Sequence, residues 1–250
     1  MPELYPHYIE FRHVYKTFDS PVLVDVSFHV NAGETVAIIG RSGVGKSVSL
    51  AHIMGFLRAD SGQVIVAHTD ITNAKESELR RVRKKVTMVF QSGALFDSLT
   101  VEENILFSLE LREDYDWQNR EDIVDGLLEM VDLRDYKDVY PTDLSTGYKR
   151  AVAISRALAA QPECVLYDEP TTMVDPIMSD HLATLMLRLK RQLRLTSVVV
   201  THDLGLMRRV ADKVVILHKG RVIYFGAVSE LEQSDHPHIQ EFLARDRVVA

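Results

Sequence analysis

Apolar and polar residues alternate between residues 22 and 30, with the period of a strand that buries one of its two faces. A turn at residues 31–34 leads into the apolar run 36–39, so the chain is predicted to open with an antiparallel sheet. Further along, the pattern predicts strands at 86–90, 164–167, 196–200 and 214–217, and helices at 48–57, 76–85, 179–195 and 204–210. This alternation of strand and helix is typical of a mainly parallel sheet in an α/β core.

The stretch between residues 95 and 160 departs from this alternation. Apolar residues recur at helical spacing from Ile123 to Val131, and residues 151–160 are rich in helix formers. We interpret this stretch as a helical lobe inserted into the core. Beyond the lobe, the segment from His218 to Arg221 predicts a hairpin between two strands.

The loop after the apolar run 36–39 has the form GxxxxGK[ST]. It consists of Gly40, Arg41, Ser42, Gly43, Val44, Gly45, Lys46 and Ser47, and Val48 begins the predicted helix behind it. Glycines let backbone N–H groups surround phosphate oxygens, and the helix N-terminus adds a favourable dipole. Lys46 would reach the β- and γ-phosphates, and the Ser47 hydroxyl would hold Mg²⁺.

Acidic and polar residues follow the other predicted strands. Asp168 and Glu169 follow one strand, His202 a second and Gln91 a third. The carboxyl ends of parallel strands face the ligand crevice of an open α/β sheet. Asp168 would hold Mg²⁺ through its waters, and Glu169 would be the base that deprotonates the attacking water. His202 would reach the γ-phosphate, and Gln91 would ligate Mg²⁺ or position water.

A Leu-Ser-Thr-Gly-Tyr-Lys-Arg segment precedes the helix predicted at 151–160. Ser145 is a good helix cap, so one interpretation is an ordinary capped helix start. The other is a second anion-binding helix N-terminus, which would touch the γ-phosphate held by another copy of the protein.

The composition of the chain mainly excludes classes of protein. The 250 residues carry a formal net charge of −7, which argues against broad nucleic-acid binding. We interpret the basic cluster at residues 80–85 as the solvated face of a helix. The single cysteine, Cys164, excludes an internal disulfide and fits a reducing compartment. No secretory signal and no apolar run long enough to span a membrane is visible.

Taken in order, these motifs resemble the nucleotide-binding subunit of ATP-binding cassette (ABC) transporters. The ordered set is the phosphate loop, Gln91, Leu-Ser-x-Gly, Asp168 with Glu169, Asp175 and His202. The resemblance covers nearly the whole chain and implies the ABC ATPase fold, an α/β P-loop NTPase core with an antiparallel β subdomain and an inserted α-helical subdomain. It implies one domain over residues 1–250, in which 1–94 and 161–250 form the RecA-like core and β subdomain and 95–160 the helical subdomain.

The same resemblance implies an ATP-hydrolysing motor on the cytoplasmic side of the inner membrane, peripheral to integral-membrane permease subunits. Two copies would sandwich two ATP molecules with Mg²⁺, and no nucleic acid is expected as a partner. Ser145 and Gly147 of one copy would complete the site of the other, and Asp175 would lie in the interface loop. Phe18 would stack on adenine, with Tyr15 as the less favoured choice.

A narrower resemblance concerns the cargo. Residues 88–97 and 234–243 are similar to the corresponding segments of ATPases in Mla- and MCE-type lipid transport systems. That would imply a phospholipid or another hydrophobic cargo, an MCE-domain protein as a partner and a small accessory subunit. The alternative is the ATPase of an importer or exporter of another small molecule.

Two other classes of protein share the phosphate loop with transporters. A soluble ABC-type ATPase acting on DNA or ribosomes usually carries a long coiled-coil insertion or a second cassette, and neither is visible here. A phosphate-loop kinase of small molecules would not need the Leu-Ser-x-Gly helix start or dimerisation on ATP.

The sequence departs from the family pattern at several positions. Thr146 and Tyr148 replace a glycine and a glutamine, Val48 replaces a threonine, and the interface loop at 172–175 is unusual. We expect hydrolysis to be retained, since Glu169 and His202 are both present. Leu95, Phe96 and Leu99 would either line a groove that docks a permease or belong to the core of the helical lobe.

Overall fold

A computed structural model describes residues 5–110, 117–234 and 236–246. Its central sheet has six strands in the order β10-β9-β3-β8-β7-β6, and all neighbouring pairs are parallel except β9 with β10. The strands are β3 (Thr35–Ile39), β6 (Val86–Val89), β7 (Cys164–Asp168), β8 (Thr196–Thr201), β9 (Lys213–His218) and β10 (Arg221–Ala227). Every residue of β3 and β8 is buried, as expected for strands covered on both faces.

A second, antiparallel sheet has the strand order β2-β1-β4-β5. Its strands are β1 (Ile9–Thr17), β2 (Pro21–Val30), β4 (Ser61–Val66) and β5 (Thr69–Asp70). An opening antiparallel sheet is therefore present, but the expectation that β2 turns back into the next strand of the same sheet is wrong. The turn between them instead carries the chain from one sheet into the other, because β3 pairs with β8 and β9.

The helices predicted from 76 and 204 begin where the hydrophobic pattern predicts, whereas those predicted from 48, 151 and 179 begin earlier, at 46, 146 and 176. The helices are α1 (Lys46–Ile53), α2 (Glu76–Arg83), α3 (Val101–Leu109), α4 (Arg120–Met130), α5 (Thr146–Ala159), α6 (Pro176–Leu193), α7 (Leu204–Val210), α8 (Val228–Leu231) and α9 (Pro237–Asp246). Helix α1 also ends before the predicted position 57, since Gly55 has a left-handed φ of 64° that interrupts the helix. The hairpin after His218 is confirmed, with Lys219 and Gly220 both in the left-handed conformation that its turn requires.

Helices α3, α4 and α5 lie between β6 and β7 in the chain, where the helical lobe is predicted. They share a hydrophobic core with α6 and with side chains of β7 and β8, including the fully buried Tyr167. The division into 1–94 with 161–250 and 95–160 stays a prediction. Among the described residues, no helix combines the length and the apolarity that crossing a bilayer requires.

Candidate functional site

The phosphate loop connects the buried strand β3 to helix α1. Gly45 has a φ of 107°, which favours glycine, and a Cβ on Gly40 would lie 2.6 Å from the carbonyl oxygen of Leu217 in β9. The backbone N–H of Ser49 donates to the carbonyl of Gly45, which is the first hydrogen bond of the α1 helix. The N–H groups of the first helical residues, Lys46 to Val48, therefore have no intrahelical acceptor and are available to an anion.

The ammonium of Lys46 lies in the mouth of this loop. Lys46 is 8% exposed, and its Nζ donates to the carbonyl oxygens of Gly40 at 2.8 Å and of Arg41 at 3.3 Å. The same Nζ lies 3.5 Å from Oε1 of Glu169. A positive charge is thus held between the phosphate loop and the carboxylate that ends β7, where a bound phosphate would gain both attraction and hydrogen bonds.

Ser47 and Asp168 form the second contact across the site. The Ser47 hydroxyl donates to Oδ1 of Asp168 at 3.2 Å, so the start of α1 touches the end of β7. Burial raises the pKa of the Asp168 carboxyl, and the neighbouring Glu169 raises it further, while Ser47 and Lys46 act in the opposite direction. A half-buried carboxylate in this position gains from a nearby cation.

This donor set fits Mg²⁺. The ion keeps several waters and usually takes only one or two carboxylates, together with phosphate oxygens. In the part of the chain that the structure describes, no group of three or more His, Cys, Asp or Glu forms a metal cage. One hydroxyl and one carboxylate at the edge of a phosphate loop are what magnesium–nucleotide binding requires from the protein.

Glu169 and His202 are also brought together. His202 Nδ1 donates to Oε2 of Glu169 at 2.8 Å, and the Glu169 side chain is 12% exposed against 63% for His202. Glu169 has a left-handed φ of 48°, and its N–H donates to the carbonyl of Val200 in β8. The strained turn directs the carboxylate towards Lys46 and His202 and away from the hydrophobic core.

A threonine that the sequence analysis missed completes this arrangement. The Thr172 hydroxyl donates to Oε2 of Glu169 at 3.2 Å. Its only sequence signal is its position three residues after Glu169, which becomes meaningful only once the turn at Glu169 is known. Gln91 is exposed just beyond β6, the strand that pairs with β7, so it lies near the same edge of the sheet.

Ser145 and Asp175 lie at the starts of two other helices. Ser145 caps α5 by accepting from the N–H of Tyr148 at 3.3 Å, and Asp175 caps α6 by accepting from the N–H of Met178 at 2.9 Å. Both residues are exposed, whereas Gly147 is buried. Within the described residues, the side-chain hydrogen bonds of Ser145 and Asp175 go to their own helices and not to the phosphate loop.

Two of the unusual motif residues, Val48 and Tyr148, turn towards hydrophobic cores, whereas Thr146 is exposed. Val44 and Val48 pack against the core beneath α1, so Val48 offers a phosphate only its backbone N–H. Tyr148 packs on the ring of Tyr136, with ring centroids 5.0 Å apart, and the hydrogen bond between the two hydroxyl groups raises the pKa of Tyr136. Tyr148 thus stabilises the helical lobe, a role that a glutamine at this position would not fill.

The two candidates for adenine stacking differ in exposure. Phe18 is 52% exposed and Tyr15 is 38% exposed. The Lys16 ammonium lies 5.5 Å from the centroid of the Phe18 ring, a cation–π arrangement. The larger free ring face of Phe18 favours it for stacking, and this assignment stays a prediction.

A separate groove lies between α2, β6 and α5. Its volume is about 920 Å³, and its lining combines apolar side chains (Met54, Phe56, Val86, Met88, Phe90, Ala153, Ala157) with basic ones (Arg80, Arg83, Lys84, Arg156). The basic cluster at 80–85 therefore contributes to this groove. Arg156 donates to the carbonyls of Gly93 and Ala94 and lies 6.0 Å from the ring of Phe96, which is 42% exposed. Leu95, in contrast, packs against the core of the helical lobe.

Comparisons with known proteins place this site in a family. The family model described as ABC transporter matches residues 23–172, more than half of the chain. The methionine import ATP-binding protein MetN 1 of Yersinia pestis bv. Antiqua (strain Antiqua) is 38% identical over 244 residues, covering 94% of this chain and 70% of that protein. MetN 2 of Rhodococcus jostii (strain RHA1) is 40% identical over 228 residues, covering 89% of this chain and 67% of that protein.

Solved structures agree with the fold. A dimeric, post-hydrolysis state of the ATP-binding cassette MJ0796, bound to ADP and Pi, matches with a TM-score of 0.80 and 29% identity, covering 88% of this chain and 98% of that one. The cbiO1 protein of Clostridium perfringens, part of the ABC transporter complex cbiONQ, matches with a TM-score of 0.85 and covers 98% of both chains. At 24% identity, the cbiO1 match shows the fold alone.

These comparisons also bear on the cargo. The relatives described above are named for methionine import, so they favour the importer of a small molecule over the lipid-transport subfamily that residues 88–97 and 234–243 predict. The ABC ATPase fold expected from the sequence is confirmed. The chain belongs to the ABC transporter family, as an ATP-binding ATPase whose hydrolysis of ATP is coupled to transport.

Proposed function

We propose that this chain is the motor subunit of a transporter for a small molecule and that two copies hydrolyse ATP at two shared sites. The observation that carries the proposal is the convergence of Lys46, Ser47, Asp168, Glu169 and His202 at one edge of the sheet. Ser145 caps a helix outside this cluster and is exposed, so its free surface is available to a second copy. The dimeric ATP-binding cassette MJ0796, which binds ADP and Pi, supports a site that is shared between two copies.

The proposed roles follow from the contacts. Lys46 and the N–H groups of the phosphate loop bind and orient the phosphates. Ser47, Asp168 and Gln91 hold Mg²⁺, which supplies neutralisation of the charge on the leaving phosphates. The Glu169 carboxylate takes a proton from the attacking water, and the His202 N–H on Oε2 keeps that carboxylate in place. Phe18 stacks on adenine.

The shared site has a direct test at Ser145. Changing Ser145 to arginine places a long side chain at the exposed start of α5, and we expect it to abolish ATP-driven dimerisation. Binding of ATP to the monomer should change by less than about twofold, since surface substitutions usually cost within 0.5 kcal/mol. Light scattering after gel filtration measures the dimer, and a labelled nucleotide measures binding.

Ser77→Arg is the matched control, because Ser77 is an exposed serine on α2. This variant should dimerise on ATP like the parent. If Ser145→Arg also dimerises normally with ATP, Ser145 does not face a nucleotide held by a second copy.

For the partner, we propose that the groove between α2, β6 and α5 and the neighbouring Phe96 dock an integral-membrane permease. The groove is large and is lined by apolar and basic side chains, and exposed Phe96 stacks edge-on against Phe107 with centroids 4.8 Å apart. Large exposed aromatic patches on soluble surfaces mark interaction sites. This docking would place the chain on the cytoplasmic side of the inner membrane, as a peripheral subunit.

Two kinds of molecule are candidates for the cargo. A small solute such as methionine is favoured by the import relatives. A phospholipid, with an MCE-domain protein and a small accessory subunit as partners, is favoured only by the resemblance of the segments at residues 88–97 and 234–243.

One experiment addresses the permease and the cargo together. The tagged chain is recovered from a detergent extract of membranes, the bound proteins are identified, and methionine or phospholipid is tested for stimulation of hydrolysis by the complex. We expect Phe96→Ala to lower recovery of the permease about fivefold or more, as for a buried aromatic anchor. Tyr140→Ala, at an exposed tyrosine outside the groove, should leave recovery unchanged. Equal recovery with Phe96→Ala would remove this surface from the interface.

A further inference from the structure

Gly147, near the start of α5, lies against the side chain of Met178 in helix α6. A Cβ added to Gly147 would lie 2.1 Å from Cγ of Met178 and 3.1 Å from its Cβ. Gly147 lies inside the helix, and its φ is not in the left-handed region. The need for glycine at this position therefore comes from the space that Met178 fills, and not from the backbone conformation.

Met178 is tied to the loop that precedes it. Its backbone N–H donates to Oδ1 of Asp175 at 2.9 Å, so the residue that contacts Gly147 also carries the cap of α6. Met173 and Ile177, on either side of Asp175, are 89% and 86% exposed, whereas Met178 is half-buried. Val174 and Met178 are the apolar side chains of this segment that turn inwards, and Met178 lies on the start of α5.

The loop is also tied to Glu169 at its other end. The Thr172 hydroxyl donates to Oε2 of Glu169 at 3.2 Å, and the Thr172 N–H donates to the Glu169 carbonyl at 3.3 Å. The Thr171 hydroxyl donates to Oδ2 of Asp203, which caps α7. A short series of contacts therefore leads from the carboxylate at the end of β7, through the loop, to the start of α5.

We propose that Met178 is a positioning residue that couples the two nucleotide sites of the dimer. The inference rests on the proposed shared site, in which Ser145 and Gly147 contact the nucleotide gripped by the second copy. A shift of the Glu169–Asp175 loop in one site displaces Met178 and, with it, the helix start that serves the other site. The contact is steric and close-packed, so small displacements are transmitted.

Dimerisation tests the contact in a Glu169→Gln background, where ATP is not consumed. Gly147→Ala should weaken ATP-driven dimerisation by about tenfold to a hundredfold, the usual effect of overpacking. In the double variant Gly147→Ala/Met178→Ala, truncation of Met178 opens the space, and most of the lost affinity should return. If the double variant stays as weak as Gly147→Ala, Gly147 is required for approach to the nucleotide, and the proposed coupling is wrong.

The second measurement is the cooperativity of hydrolysis. It does not use Gly147→Ala, so it tests the coupling even if that variant does not fold. The parent should hydrolyse ATP with a Hill coefficient well above 1, and Met178→Ala should bring it towards 1 while dimerisation changes little. Met130→Ala is the control, because Met130 is a half-buried methionine of the helical lobe, outside this series of contacts. A parent coefficient of 1, or no change in Met178→Ala, would overturn the coupling. Failure of the Glu169→Gln background to dimerise on ATP would instead overturn the proposed shared site.

Discussion

Replacing Glu169 by glutamine is expected to lower the rate of ATP hydrolysis by about 10²- to 10⁴-fold, the usual contribution of a general base. Glutamine has nearly the shape of glutamate, and its Oε1 can still accept from His202 and Thr172, which now bond the carboxylate at 2.8 and 3.2 Å. The site should therefore keep its geometry but lose the group that takes the proton. ATP binding should persist, and the ATP-bound dimer should accumulate.

Phosphate release under single-turnover conditions and gel filtration with ATP measure these two effects. Glu163→Gln is the matched control, since Glu163 lies at the opposite end of β7 and pairs with Lys85 on the surface. Its hydrolysis rate should equal that of the parent. A Glu169→Gln rate within a few-fold of the parent would assign the base to another residue.

The sequence predicts the central sheet well because its buried strands are short apolar runs of the length typical of strands. The runs at β3, β7 and β8 fit strands covered on both faces. The rule that ligands bind at the carboxyl ends of such strands then brings Asp168, Glu169 and His202 to one place, and the structure has them in contact or adjacent.

The pattern is weaker where side chains do not alternate regularly. No strand is predicted at β1, because its pairing with β2 shifts register between Phe11 and Val14 and His13 has a φ of 50°. Such a bulge breaks the period of two from which a strand is recognised. Similarly, α5 begins at Thr146, five residues before the helix-forming run, because the Ser145 cap outweighs the poor helix propensity of the next residues.

Contacts that depend on the exact path of a turn are not visible in the sequence. Thr172 reaches Glu169 because the chain reverses at the left-handed φ of Glu169, and nothing in the residue types predicts that conformation. The contact between Met178 and Gly147 joins two helices that are separated in the chain by strand β7. Motifs therefore indicate which residues bind nucleotide, whereas the structure indicates how those residues are linked.

Replacing Lys46 by alanine is expected to weaken ATP binding by about tenfold to a hundredfold or more, because a hydrogen bond to a charged group contributes roughly 1.5–3 kcal/mol. In the structure, the ammonium of Lys46 is buried between the Gly40 carbonyl, 2.8 Å away, and the Glu169 carboxylate, 3.5 Å away. Its loss removes the positive charge that the phosphates would meet and leaves Glu169 facing them directly, so electrostatic repulsion adds to the lost contact. Hydrolysis should fall to background.

The stabilisation of the fold by ATP gives a readout that does not depend on turnover. A ligand at one hundred times its Kd stabilises the native state by about 2.7 kcal/mol, so the parent should melt several degrees higher with magnesium–ATP, and Lys46→Ala should not. Lys85→Ala, which removes an exposed lysine paired with Glu163, should keep the full shift. If magnesium–ATP raised the melting temperature of Lys46→Ala as much as that of the parent, nucleotide would bind elsewhere, and the phosphate loop would not be the nucleotide-binding element.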